Sequence, residues 1–185
     1  MRIVVGITGA SGAIYGISLL KHLQSLDVET HLILSSWARK TIELETNYSP
    51  DSIIKLASRC YAEDDQAASV SSGSFIHHGM VIIPCSMKTL SAVAHGYADN
   101  LISRAADVTI KESRKLILVP RESPLSAIHL ENMLKLSRLG VSIIPPVPSF
   151  YHKPETIEDL VLHFTGRILD HLGLKHNISS RWGVE

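Results

Sequence analysis

The chain has 185 residues, of which 45% are hydrophobic and 19% charged, enough for one well-buried domain and short for two. Lys plus Arg balance Asp plus Glu at 18 each, so no basic field argues for nucleic acid or an acidic membrane surface, and any anion has to be held by a local site. The first apolar run begins at residue 2 with no signal peptide ahead of it, and no run is long enough to span a bilayer, so a cytoplasmic protein is expected.

Arg2 to Thr8 is a β-branched apolar run bounded by glycine, the pattern of a buried parallel strand. Similar runs recur at 30–34, 80–84, 116–120 and 141–145. Helical patterns lie between them at 13–26, 37–46, 50–58, 87–95, 101–114, 128–139 and 155–172. This alternation predicts a single α/β domain, a three-layer, doubly wound, Rossmann-like or flavodoxin-like parallel sheet. Residues 61–79 are the least regular stretch and are expected to hold a short extra strand within a functional loop. The segment 174–185 reads as a C-terminal tail, with Trp182 as an apolar anchor on the body or on a neighbouring subunit.

In such a sheet, ligands bind beyond the carboxyl ends of the strands, so the residues just after each run carry the argument. The first run opens into Thr8-Gly9-Ala10-Ser11-Gly12, where small residues let backbone N–H groups approach an oxyanion. Ser11 there is either a functional hydroxyl or only a helix cap. The glycines are spaced G-x-x-G-x-x-G, close to the dinucleotide fingerprint without matching it. The second run ends in Ser35-Ser36-Trp37, hydroxyls where an NAD fold would place a ribose-reading acid, and no tyrosine is followed by a lysine four residues on. Both features weigh against a nicotinamide-dependent reductase.

The third run enters Pro84-Cys85-Ser86-Met87-Lys88-Thr89, either a set of donors to a flavin or a capped helix with a solvated lysine. Cys85 has no base nearby in the sequence and reads as a packed thiol, as does Cys60, since the pair suits neither a disulfide framework nor a zinc knuckle. Ten histidines show no ligand spacing, so no metal is expected. The fourth run ends in Arg121 and Glu122 between two prolines, a rigid presentation that suits chemistry better than a surface ion pair. Lys111 taken alone is a solvated helix lysine. Tyr151 rides on a proline-stiffened loop, and Arg167 lies beside an apolar helical stripe and needs an anionic partner.

Taken together, "GITGASGAIYG" (6–16), "SSGSF" (71–75), "PCSMKTL" (84–90), "ADVTIKESRKLILVPRE" (106–122), "HLENM" (129–133), "GVSIIPPVPSFY" (140–151) and "GRILDHLGL" (166–174) resemble the UbiX-type flavin prenyltransferases, a family that includes components of bacterial hydroxyarylic acid decarboxylases. The resemblance covers nearly the whole chain. It implies FMN bound by Gly9, Ala10, Ser11, Ser35, Ser86, Met87, Lys88, Thr89 and Arg121. It also implies dimethylallyl monophosphate met by Lys111, Tyr151 and Arg167, with Glu45 a further substrate position and Ser11, Lys111 and Glu122 in catalytic roles. The implied reaction joins N5 and C6 of reduced FMN to the prenyl unit without a metal, and the product serves UbiD-type decarboxylases. A closed homo-oligomer, a dodecamer, with sites at subunit junctions is also implied. Ser36 departs from the family, where lysine is frequent. Two rival readings are a non-catalytic FMN-binding decarboxylase component and a flavin-dependent cysteine decarboxylase.

Overall fold

Continuous apolar runs bury both faces of a strand, and here they build the centre of a six-stranded sheet. The computed structural model describes residues 1–179 and 183. The strands are β1 (Arg2–Ile7), β2 (Glu29–Leu34), β3 (Arg59–Ala62), β4 (Gly79–Cys85), β5 (Leu116–Pro120) and β6 (Ser142–Ile143). Their order is β3-β2-β1-β4-β5-β6 and every pairing is parallel. That order is the Rossmann one, which decides between the two expected windings.

Side chains alternate across the sheet, and the two sets form two cores. Ile3, Val5 and Ile7 of β1 face α1 (Ala13–Ser25), α2 (Ser36–Glu45), α3 (Pro50–Ile54) and α7 (Ile157–Leu172). Val4, Met80 and Ile82 face α4 (Met87–His95), α5 (Leu101–Lys111) and α6 (Ala127–Arg138). Each wholly buried Ile or Leu stabilises this arrangement by about 1.5–3 kcal/mol.

Four boundaries differ from expectation. The extra strand falls at Arg59–Ala62, meeting the irregular stretch only at its start, and the rest of 61–79 is turns with a short 3-10 segment at Ser69–Ser71. The last strand is two residues long because Pro145 and Pro146 lack the N–H that pairing needs. Helix α3 stops at Ile54, where Leu56 N–H and Ala57 N–H reach back three residues to Ile53 and Ile54. Helix α5 stops at Lys111 because Ser113 adopts φ 54°, and Arg114 turns away to hold the carbonyls of Gly73 and Phe75. Of the tail, Leu174 and Ile178 pack against the first core, whereas Trp182 lies outside the described residues.

Candidate active site

Between β1 and β4 the connections leave in opposite directions, and a crevice opens beyond their carboxyl ends. Thr8 ties its two walls together. Its hydroxyl donates to Pro84 O at 2.8 Å and accepts from Ser86 N at 2.8 Å. The crevice is a cavity of about 510 Å³ lined in part by Gly9, Ser35, Trp37, Ser86, Lys88 and Asn100.

Three helices begin at this cavity, each capped by a short polar side chain. Ser35 accepts from Ala38 N at 3.0 Å, Ser86 from Thr89 N at 3.3 Å, and Asn100 from Ser103 N at 3.0 Å. The N-termini of α2, α4 and α5 therefore direct the positive ends of their dipoles, and the uncapped first-turn N–H groups of Met87 and Lys88, toward one space. Glu63 links two of them: its carbonyl accepts from Leu101 N at 2.7 Å and its carboxylate from Ser36 N at 2.7 Å. An acid does reach this cavity, from β3 rather than from the end of β2.

The glycine turn is shaped by contact. A Cβ on Gly9 would collide with Trp37 Cβ, so only glycine lets the turn lie against α2. Ser11 does not cap α1. Gly12 holds that position at φ 100°, and the carboxylate of Glu45 supplies the acceptor, 2.8 Å from Gly12 N and 3.2 Å from Ala13 N. Glu45 therefore sits beside the turn that carries Ala10 and Ser11.

Other expected residues occupy the rim or lie elsewhere. Lys88, 76% exposed, pairs with Asp99 at 3.6 Å. Met87 opens α4, and Thr89 is buried behind it. Arg121 N donates to Cys85 O at 3.3 Å, which places the Arg121–Glu122 segment beside the β4 loop, with both side chains exposed. Glu122 accepts from Ser123 N at 3.1 Å, and among the described residues no ion pair joins it to Arg121. Cys85 is fully buried, and burial pushes its thiol far up, as a packed core sulfur requires. Lys111 ends α5, about 15 Å along the axis from the cavity end. It pairs there with Glu112 at 2.6 Å, next to Gly73, and holds that carboxyl below its usual range.

Tyr151 and Arg167 form a third location. Tyr151 Oη lies 2.7 Å from His163 Nε2, and Arg167 Nη1 is 4.0 Å from Asp170 Oδ2. Sequence reasoning missed Glu63, Asp99, Asn100 and His163. Only Asn100 had a local signal, the Asn-x-x-Ser spacing of a reciprocal cap. Among the described residues, no group of three or more His, Cys, Asp or Glu is placed to hold a metal ion.

A parallel sheet of this order, with helix N-termini converging at its switch point, is a nucleotide-binding fold, and residues 1–169 match the family model described as Flavoprotein. The flavin prenyltransferase LpdB of Lactiplantibacillus plantarum is 58% identical over 182 residues, covering 98% of this chain and 97% of that protein. The crystal structure of a dodecameric FMN-dependent UbiX-like decarboxylase from Escherichia coli O157:H7 matches with a TM-score of 0.98 at 56% identity, over 100% of both chains. AnUbiX (PadA1), solved in complex with FMN and dimethylallyl pyrophosphate, matches with a TM-score of 0.98 at 52% identity, over 100% of this chain and 98% of that one. The chain belongs to the UbiX-like flavin prenyltransferase family. Among the described residues, no helix is long and apolar enough to cross a membrane.

Proposed function

We propose that the protein transfers a dimethylallyl group from dimethylallyl monophosphate to reduced FMN, giving the prenylated flavin that a UbiD-type decarboxylase takes up. The observation that carries this reading is the convergence of α2, α4 and α5 on a cavity whose floor includes Gly9, where the backbone turn carries no side chain and lies tight against Trp37. Such a floor suits a flat ring laid against backbone, and first-turn N–H groups suit one phosphate. Ser35, Ser86, Met87, Lys88 and Thr89, with Gly9, Ala10, Ser11 and Arg121 at the turn and rim, would hold the flavin. When bound and reduced, the flavin supplies the nucleophilic N5 and C6 that take the five-carbon unit.

The chain's own residues do the rest. Lys111, Tyr151 and Arg167 take up charge on the departing phosphate, as fixed donors do where charge develops. Ser11 relays the proton from N5 to the departing phosphate, with Glu45 fixing the turn beside it; closing the second bond uses the prenyl double bond, to which that phosphate returns a proton while Glu122 takes the one that C6 loses. These roles need more than one chain. Lys111 precedes β5 and Glu122 follows it, so an extended strand of about 17 Å separates them. A homo-oligomer, with the dodecamer of the E. coli relative as its pattern, brings Lys111 of one chain to the cavity of another. The reaction needs no metal, and the cytoplasm is its setting.

Anaerobic incubation with reduced FMN and dimethylallyl monophosphate tests the proposal. The recovered flavin gains one five-carbon unit and inorganic phosphate appears, with no metal added. Unmodified FMN from folded, flavin-loaded protein would favour a non-catalytic FMN-binding component. Loss of carbon dioxide from a C-terminal cysteine peptide would favour the cysteine decarboxylase.

A further inference from the structure

Tyr151 stands on the proline-rich loop between β6 and α7, 44% exposed, and its phenol is held from outside that loop. The contact is with His163 of α7, whose side chain is only 5% exposed. Tyr151 Oη and His163 Nε2 are 2.7 Å apart, with the rings edge to face at 5.3 Å between centroids. His152 stacks flat on the same imidazole, 4.3 Å away at 5°, so two sides of the ring are fixed. His163 lies four residues before Arg167, one helical turn along the same face. The histidine thus touches one of the two side chains assigned to the donor's phosphate and stands one helical turn from the other.

We propose that His163 is a positioning residue for the prenyl phosphate: its Nε2–H donates to Tyr151 Oη, setting the phenol beside Arg167 with the phenol's own proton directed at the phosphate. This rests on the reading that Tyr151 and Arg167 hold that phosphate. A neutral imidazole has one donor and one acceptor nitrogen. If Tyr151 gave its proton to Nε2, the phenol would offer an anion only lone pairs, which repel it. With Nε2–H donating, the phenol accepts one hydrogen bond and gives another, and each strengthens the other. The groups that face His163 keep it neutral. Burial first, then the nearby charges of His152 and Arg167, hold its pKa below the ordinary histidine value, so the imidazolium is disfavoured at neutral pH.

The experiment compares Tyr151→Phe, His163→Leu, His163→Gln and the double variant Tyr151→Phe/His163→Leu in the assembled protein. It reads KM for dimethylallyl monophosphate, kcat, and FMN affinity from flavin fluorescence. Tyr151→Phe and His163→Leu each raise KM about tenfold, as the loss of one hydrogen bond to a charged group does. The double variant is no worse than either single one, because both remove the same contact. His163→Gln, which keeps an N–H donor, regains most of the loss, and FMN affinity is the same in all four. Wild-type KM in His163→Leu alongside a raised KM in Tyr151→Phe overturns this inference alone, as do losses that multiply in the double variant. Wild-type KM in Tyr151→Phe overturns the phosphate assignment and the inference with it. Should His163→Leu not assemble, His163→Asn, too short to reach the phenol, replaces it with the same expectations.

Discussion

The carboxylate of Glu45 occupies the N-terminus of α1, accepting from both Gly12 N and Ala13 N. A fixed negative charge there offsets the helix dipole and disfavours a phosphate at the start of α1. Glu45→Gln keeps an acceptor and loses the charge, a cost of about 0.3–1 kcal/mol. Differential scanning calorimetry should show Tm lowered by about 1–4 °C. An unchanged Tm would mean that this contact contributes nothing to the folded protein.

Gly9→Ala places a methyl group against the Cβ of Trp37, where neither side has a flexible end to move. Overpacking of this kind costs about 1–3 kcal/mol. Because the displaced segment is the floor of the cavity, FMN affinity should fall by roughly a factor of ten. A fluorescence titration reads this, and wild-type affinity would show that the flavin does not lie on that floor.

Glu122 and Lys111 should fail differently. Glu122→Gln keeps its volume and leaves the flavin cavity intact, so FMN and donor both bind while turnover falls by about 100- to 10,000-fold. If Lys111 faces the leaving group in the assembly, Lys111→Ala should raise donor KM along with the loss of rate. Steady-state kinetics at saturating FMN separates the two patterns. Since no ion pair with Arg121 gives Glu122 another task among the described residues, wild-type turnover in Glu122→Gln would remove it from the chemistry.

Acid should weaken the fold in two stages. His77 is buried, with Nδ1 3.2 Å from Gly79 O, and burial lowers its pKa from 6.5 to about 4. The unfolded chain takes up this proton first, so the contribution of neutral His77 is complete above pH 6.5 and is lost as pH falls to about 4. The shift corresponds to something on the order of 3 kcal/mol. Glu29 is held at about 2 by hydrogen bonds from Arg2 and then His31, so its contribution is lost only between pH 4.5 and about 2. Urea midpoints measured from pH 7.5 to pH 4.5 should fall in the wild type and stay nearer level in His77→Gln. Equal slopes in the two proteins would assign the acid sensitivity elsewhere.

Helix α6 exposes Ile128, Leu130 and Leu134, each more than half accessible and all within seven residues of one helix. Leu130→Glu with Leu134→Glu should leave the far-UV spectrum unchanged and reduce the sedimenting mass. Transferase activity should fall with it. A full-sized, active assembly of this variant would place the subunit contacts on other faces.

The legible parts of the molecule were those whose cause is local. β1, β4 and β5 are buried on both faces, which requires the apolar runs that the sequence displays, while β2 carries Thr30 and His31 ahead of its apolar Leu32, Ile33 and Leu34. β3 was missed in place because Arg-Cys-Tyr-Ala is a half-exposed edge with neither an apolar run nor enough length to show alternation. Ser35 and Ser86 were visible as residues opening helices, and both are caps that line the cavity. Glu63 was hidden because its contact with Ser36 spans 27 positions, across α2, α3 and β3. His163 was hidden by the apolar stripe around it, which is the ordinary setting of a packed histidine. The glycine turn looked like a capped helix start, and the cap proved to come from Glu45, more than 30 residues away.

The opposed positions of Lys111 and Glu122 at the two ends of β5 have a genetic consequence. If every reaction centre takes Glu122 from one chain and Lys111 from another, two chains that are each inactive need not be inactive together. Co-expression of Glu122→Gln chains with Lys111→Ala chains in equal amounts would leave about a quarter of the junctions with both side chains intact. Mixed assemblies should then regain about that share of wild-type activity, whereas a chain carrying both substitutions, mixed with either single variant, regains none.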